Sequence, residues 1–291
     1  MELPREESLR WIVSRYAGLH ARHGAGIGRP DVVLPTGEYF PDAFTPTGEG
    51  VGRLVARMLE YAPVRAGLDL RLRFVEAGAK ESVSGCGKGG CGTGACGPGA
   101  AEEAPGRVIE TAAGYLVELP TDAVAHPVVL TSTLARAIGG IVLAEADEEV
   151  PAGEHGGLSE LAAVASGFGV LLANGAHVYG KSCGGARVSC HTQLALEEIS
   201  VALALFTRLH DVKPKTVKAY FEVTQREAFD DAYDWVTSNP SLVTQLRARP
   251  EILEAGLFRC EETKGFFGKN LAARAAAQEE RAFGLVPNTS R

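Results

Sequence analysis

The 291-residue chain has no surplus of basic side chains: 29 Lys and Arg against 36 Asp and Glu leave a net charge of −7. That balance excludes a protein that holds DNA or RNA through its phosphates. The first residues, Met1 to Trp11, mix charges and contain no apolar run, so no secretory signal is expected and the cytoplasm is the expected compartment. No internal repeat is visible, which sets aside repeat architectures. One stretch is long enough to raise the question of a membrane span. Leu161 to Gly180 has no Asp, Glu, Lys or Arg, but Gly167, Gly169, Asn174, Gly175 and His177 interrupt it, and Glu160 and Lys181 close it. A buried helix is expected there, without membrane contact. What remains, 45% hydrophobic and 22% charged residues, is enough for a sizeable core and excludes global disorder.

The acidity is concentrated in the middle of the chain, where residues 101–180 carry 11 acidic and 2 basic side chains. Its densest run is Glu145, Asp147, Glu148, Glu149 and Glu154, expected as a solvated loop after a helix, with attraction of a basic partner or a cation as the alternative. Leu9, Ile12, Val13, Tyr16 and Leu19 recur at helical spacing and predict a first helix ended by Gly24, Gly26 and Gly28; a second is expected from about Gly50 to Tyr61. Leu68 to Phe74 alternates apolar and charged residues and predicts a strand, while 107–110 and 115–119 read as a hairpin, giving three or four antiparallel strands. After Pro127 the period becomes helical, with helices expected at about 127–144 and 158–174 and through Ile199 and Phe229. The expected fold is a single α+β domain over residues 1–291: a small antiparallel sheet in the N-terminal half, a mainly helical C-terminal half and a flexible Cys/Gly-rich loop at 84–105.

In that loop, residues 85–99 hold eight glycines and three cysteines. Glycine lets backbone wrap closely around an ion, so Cys86, Cys91 and Cys96 are candidate ligands of Zn or Fe. Their C-x4-C-x4-C spacing lacks the usual C-x2-C knuckle, and a fourth ligand must come from Cys183, Cys190 or His191. A bare exposed loop is the plain alternative. Two G-x-G-x-x-G matches in the same segment open no helix and are set aside as dinucleotide sites. Gly175 to Ser182 matches G-x4-G-K-S as a string, which offers a phosphate-loop nucleotide site as a further alternative. Its context argues against that use, because Cys183, Gly184 and Gly185 stand where the phosphate-binding helix should begin.

Thr133 to Leu143 and the later Glu154 to Leu161 are more informative. In position and hydrophobic framework they resemble the active-site helix and the following ligand helix of zincin-like bacterial proteins of the gluzincin kind. The resemblance implies a metallopeptidase scaffold, whose first helix carries H-E-x-x-H to hold zinc with two histidines and activate water with the glutamate. At the matching positions this chain has Arg136, Ala137 and Gly140, and the third-ligand position falls near Gly156, with His155 and Glu160 close by. Arginine has no lone pair to offer, and alanine and glycine neither bind a metal nor take a proton. The resemblance therefore implies an emptied peptidase site, in which Arg136 brings its own positive charge to the place of the ion and a carboxylate such as Glu160 pairs with it. Binding or scaffolding toward a protein partner is the expected role, with no defined catalytic residues. The plain alternative leaves Arg136 on the surface of an ordinary helix. Gly139 and Gly140 inside that helix cost about 1 kcal/mol each relative to alanine, so the pair calls for a close neighbour.

Three smaller constellations carry milder expectations. Cys190 and His191, with Lys181 and Cys183 nearby, are weighed as a thiol–imidazole pair against inert buried cysteine. Asp230, Asp231 and Asp234 read as a solvated helix face. His20 and His23 suit the C-terminal end of the first helix.

Overall fold

A computed structural model describes residues 2–27, 31–76, 106–151, 153–182, 185–263, 277–278 and 283. Helix α1 (Glu6–Ile27) forms on the expected stripe, with Leu9, Ile12, Val13, Tyr16 and Leu19 all buried. It continues through Gly24 and Gly26 rather than ending there. Helix α2 (Gly48–Leu59) is capped by Thr47, whose hydroxyl accepts the Gly50 amide at 3.2 Å, and it buries Val51, Val55 and Met58.

The N-terminal sheet has three strands in the order β1 (Asp69–Val75), β3 (Gly114–Pro120), β2 (Arg107–Thr111). The expected hairpin is β2–β3, antiparallel from Arg107 opposite Glu118 to Thr111 opposite Gly114. The expectation of a wholly antiparallel sheet is corrected by β1. This strand runs parallel to β3, Asp69 opposite Gly114 and Val75 opposite Pro120, so the sheet is mixed. Parallel pairing needs a long connection, which the residues between β1 and β3 provide. Gly114 admits the close approach, because a Cβ there would stand 2.1 Å from the Asp69 carbonyl oxygen. The central strand β3 turns Tyr115, Val117 and Leu119 into the core.

Helix α3 (Pro127–Glu145) is apolar around nearly its whole circumference and is buried from Ser132 to Leu143. Such a helix belongs in the interior. It packs on α4 (His155–Ala163) and α5 (Gly169–Ala176), and the Gly139–Gly140 pair finds its reason there. A Cβ on Gly139 would lie 1.9 Å from the Ser159 carbonyl oxygen, so only glycine lets the two backbones meet. The single helix expected over 158–174 is two, joined by a π turn over Val164–Phe168. Gly167 takes a left-handed φ of 96°, and its carbonyl accepts the Val33 amide at 3.0 Å. By length and composition alone, α3 and the 155–176 stretch are long and apolar enough to cross a membrane; 78% and 89% of their apolar windows are buried inside the fold.

The chain then forms an antiparallel hairpin, β4 (Val178–Ser182) and β5 (Gly185–Ser189), where sequence periodicity indicated no strand. Helices α6 (Leu196–Leu209), α7 (Pro214–Lys218), α8 (Val223–Ser238), α9 (Pro240–Ala248) and α10 (Pro250–Glu254) complete the α+β fold. Ile199, Leu203 and Phe206 of α6 and Phe229 and Val236 of α8 lie in one apolar core that extends from Leu9 to Phe258.

Candidate functional site

The centre of interest is the face that α3 turns toward α4. Arg136 is 5% exposed, so it is no surface residue of an ordinary helix. Its Nη1 lies 3.9 Å from Oε1 of Glu160, which is wholly buried on α4. That distance makes an ion pair without a direct hydrogen bond. Glu160 spends its oxygens elsewhere: Oε1 accepts the Gln193 amide at 2.7 Å and Oε2 the Leu194 amide at 2.8 Å. One carboxylate thus holds the segment that leads into α6 and faces the guanidinium at the same time.

Burial dominates the electrostatics of the pair. It pushes the Glu160 carboxyl up to about 7, against the opposing pull of Arg136 and the two amides. It also lowers Arg136 from its ordinary value, with Glu160 opposing that shift. His191, half-buried, is lowered by burial first; Asp122 raises it, while His126 and Arg136 lower it further. Its Nε2 lies 2.9 Å from the Ser189 hydroxyl. One turn before Arg136, the Thr133 hydroxyl is buried without a partner, as is Arg136 Nη2. Gly106, at a φ of 84°, brings the start of β2 against both: a Cβ there would sit 2.8 Å from Thr133 Cγ2 and 3.4 Å from Arg136 Nη2.

Arg136, Ala137 and Gly140 lie on α3 and Gly156 on α4. Gly140 faces α4, where a Cβ would meet the Ser159 hydroxyl at 3.3 Å and His155 Cε1 at 3.8 Å. Ala137 is buried in the core. Gly156 packs under Gln193, whose Cγ would lie 2.7 Å from a Cβ there. This donor set does not fit a zinc ion. Arg136 presents a guanidinium, Ala137 a methyl group and Gly140 a hydrogen, none of which binds a metal, and both oxygens of Glu160 accept backbone amides. Glu160 is closed off from solvent, so its own carboxyl does not reach a substrate through this face.

Cys86, Cys91, Cys96 and Cys183 lie outside the described residues. Among the described residues, no three His, Cys, Asp or Glu side chains converge to hold an ion. Cys190 sits in the segment before α6, with Sγ 3.5 Å from the Thr192 carbonyl oxygen. The phosphate-loop string covers the end of α5 and strand β4, so helix precedes strand where a phosphate loop needs strand before helix. Asp230 pairs with Lys218 at 2.6 Å.

The acidic run is largely consumed inside the molecule. Glu145 accepts the Tyr115 hydroxyl at 2.9 Å, and Glu154 accepts Trp11 Nε1 at 3.1 Å and Arg15 at 2.9 Å. Burial raises Glu148, but hydrogen bonds from Arg22 and His23 outweigh it and hold the carboxyl below its usual range. Sequence reasoning missed Thr133 and the two amides at Gln193 and Leu194. Backbone donors leave no sequence signal, whereas Thr133 stands three residues before Arg136 on the same helix face. No family model, no curated protein and no solved structure matches the chain.

Proposed function

We propose that the chain is a catalytically inactive zincin-like protein of the gluzincin kind, acting by binding or scaffolding toward a protein partner. One observation carries the reading. On the buried face where the motif requires His, Glu and His, α3 presents Arg136, Ala137 and Gly140, and the guanidinium faces the Glu160 carboxylate. A permanent cation there opposes any divalent ion by charge as well as by its lack of a lone pair. The supporting frame is a core helix lying against the next one, with Glu160 set across from Arg136.

The test is a peptidase assay on unfolded casein with added zinc, joined to a reversion. The native chain should release no peptides. The triple replacement Arg136→His, Ala137→Glu and Gly140→His should take up zinc, because two imidazoles on one helical face then stand across from His155. Zinc-dependent cleavage by the native chain would overturn the reading, as would a folded triple variant that takes up no zinc. Zinc or iron that is lost on replacing Cys86, Cys91, Cys96 and Cys183 by serine belongs to those thiols, not to α3.

A further inference from the structure

A half-open cavity of about 320 Å³ lies between α2, residues 35–44 and the first turn of α3. Its wall is mainly apolar, with Pro35, Phe40, Phe44, Leu54, Pro127 and Leu130. Pockets of about 300–1,000 Å³ take small ligands, and this one is at the small end. Two polar side chains of the same wall are left incomplete. The Thr36 hydroxyl and Arg57 Nε are shut off from solvent and have no hydrogen-bond partner. Arg53 stands beside them, and Asp42 is the one carboxylate of the lining, so the wall carries a net positive charge.

The partners that hold both arginines, Thr45 included, are exposed. Arg57 holds Glu60 at 2.6 Å and Asp42 at 3.5 Å, and Arg53 holds Glu49 at 2.6 Å, all through carboxylates more than half exposed. Exposed pairs of this kind contribute little, so either guanidinium is released cheaply to a better partner. An apolar wall ending in cationic, acceptor-seeking groups selects a molecule with an apolar body and an anionic head. A carboxylate matches the guanidinium fork. We propose that this cavity binds a small amphipathic carboxylate, its body against Phe40, Phe44, Leu54 and Leu130 and its head on Arg57 with Arg53 beside it. The inference is independent of the reading of Arg136 and Glu160, and either stands if the other fails.

Titration calorimetry on the full chain tests it, with octanoate and phenylpropionate against octanol and octylamine. A carboxylate should bind at one site, octanoate at least about tenfold tighter than octanol, and octylamine not at all. Arg57→Gln, which removes only exposed ion pairs and the buried Nε, should bring octanoate down to the octanol level. Leu54→Trp should fill the cavity and abolish both, with far-UV circular dichroism unchanged in each variant. The proposal is overturned if neither carboxylate binds at millimolar concentration or if octanol matches octanoate. Octanoate binding that survives both substitutions would also overturn it.

Discussion

Replacing Gly139 by alanine is expected to destabilise the protein, while the same change at the next residue is not. At Gly139 the new methyl group would lie 1.9 Å from the Ser159 carbonyl oxygen and 2.8 Å from the Ala163 nitrogen. Both obstacles are α4 backbone, so no rotamer change relieves them and the helices must separate. Overpacking costs about 1–3 kcal/mol, with the upper end expected where backbone has to move. Alanine returns about 1 kcal/mol of helix propensity. The net expectation for Gly139→Ala is a loss of about 2 kcal/mol. At Gly140 the nearest atom is the Ser159 hydroxyl at 3.3 Å, followed by Val108 Cγ2 at 3.5 Å, both side-chain atoms that can yield. Gly140→Ala should therefore range from neutral to about 1 kcal/mol more stable. Urea unfolding followed by circular dichroism reads both as midpoint shifts at unchanged slope. Equal effects at the two positions, or a stable Gly139→Ala, would refute the close contact of α3 and α4.

Two further outcomes follow from the same core. Glu160 ionises near 7 when folded against a reference value of 4.5, so its contribution is fully present below about 4.5 and is lost as pH rises through about 7. Glu160→Gln should cost about 1–3 kcal/mol at pH 5, where the Gln amide nitrogen confronts a backbone N–H. The deficit should shrink toward pH 8, because the glutamine does not ionise; a deficit that grows with pH in urea titrations would mean that Arg136 and the amides outweigh burial. Gly167→Ala, at a φ of 96°, should lose about 1–2 kcal/mol in the same assay. Unchanged stability would show that the turn between α4 and α5 relaxes freely.

Much of this site was legible in the sequence because its determinants are side chains on a regular helix. Leu130, Leu134, Ile138 and Ile141 mark the buried face of α3, and a cation among them demands a counter-charge, which pointed to Glu160. The glycine pair signalled a close neighbour for the same reason: its propensity cost requires a return. What stayed hidden depends on long-range backbone geometry. Alternation identified β1, but strand direction is set by the connection and not by the pattern, so its parallel pairing with β3 was not readable. The π turn at Gly167 was masked by unbroken hydrophobicity on either side of it. The β4–β5 hairpin is short and glycine-rich, too brief for a period to emerge. The groove beside α2 is assembled from three separate segments, which no local pattern announces.

The most direct measurement is the zinc content of the chain with Cys86, Cys91, Cys96 and Cys183 replaced by serine, determined by elemental mass spectrometry after equilibration with zinc and desalting. With Arg136 seated against Glu160 in place of an ion, the protein should retain far less than one equivalent. A full equivalent that disappears on Glu160→Gln would contradict the account.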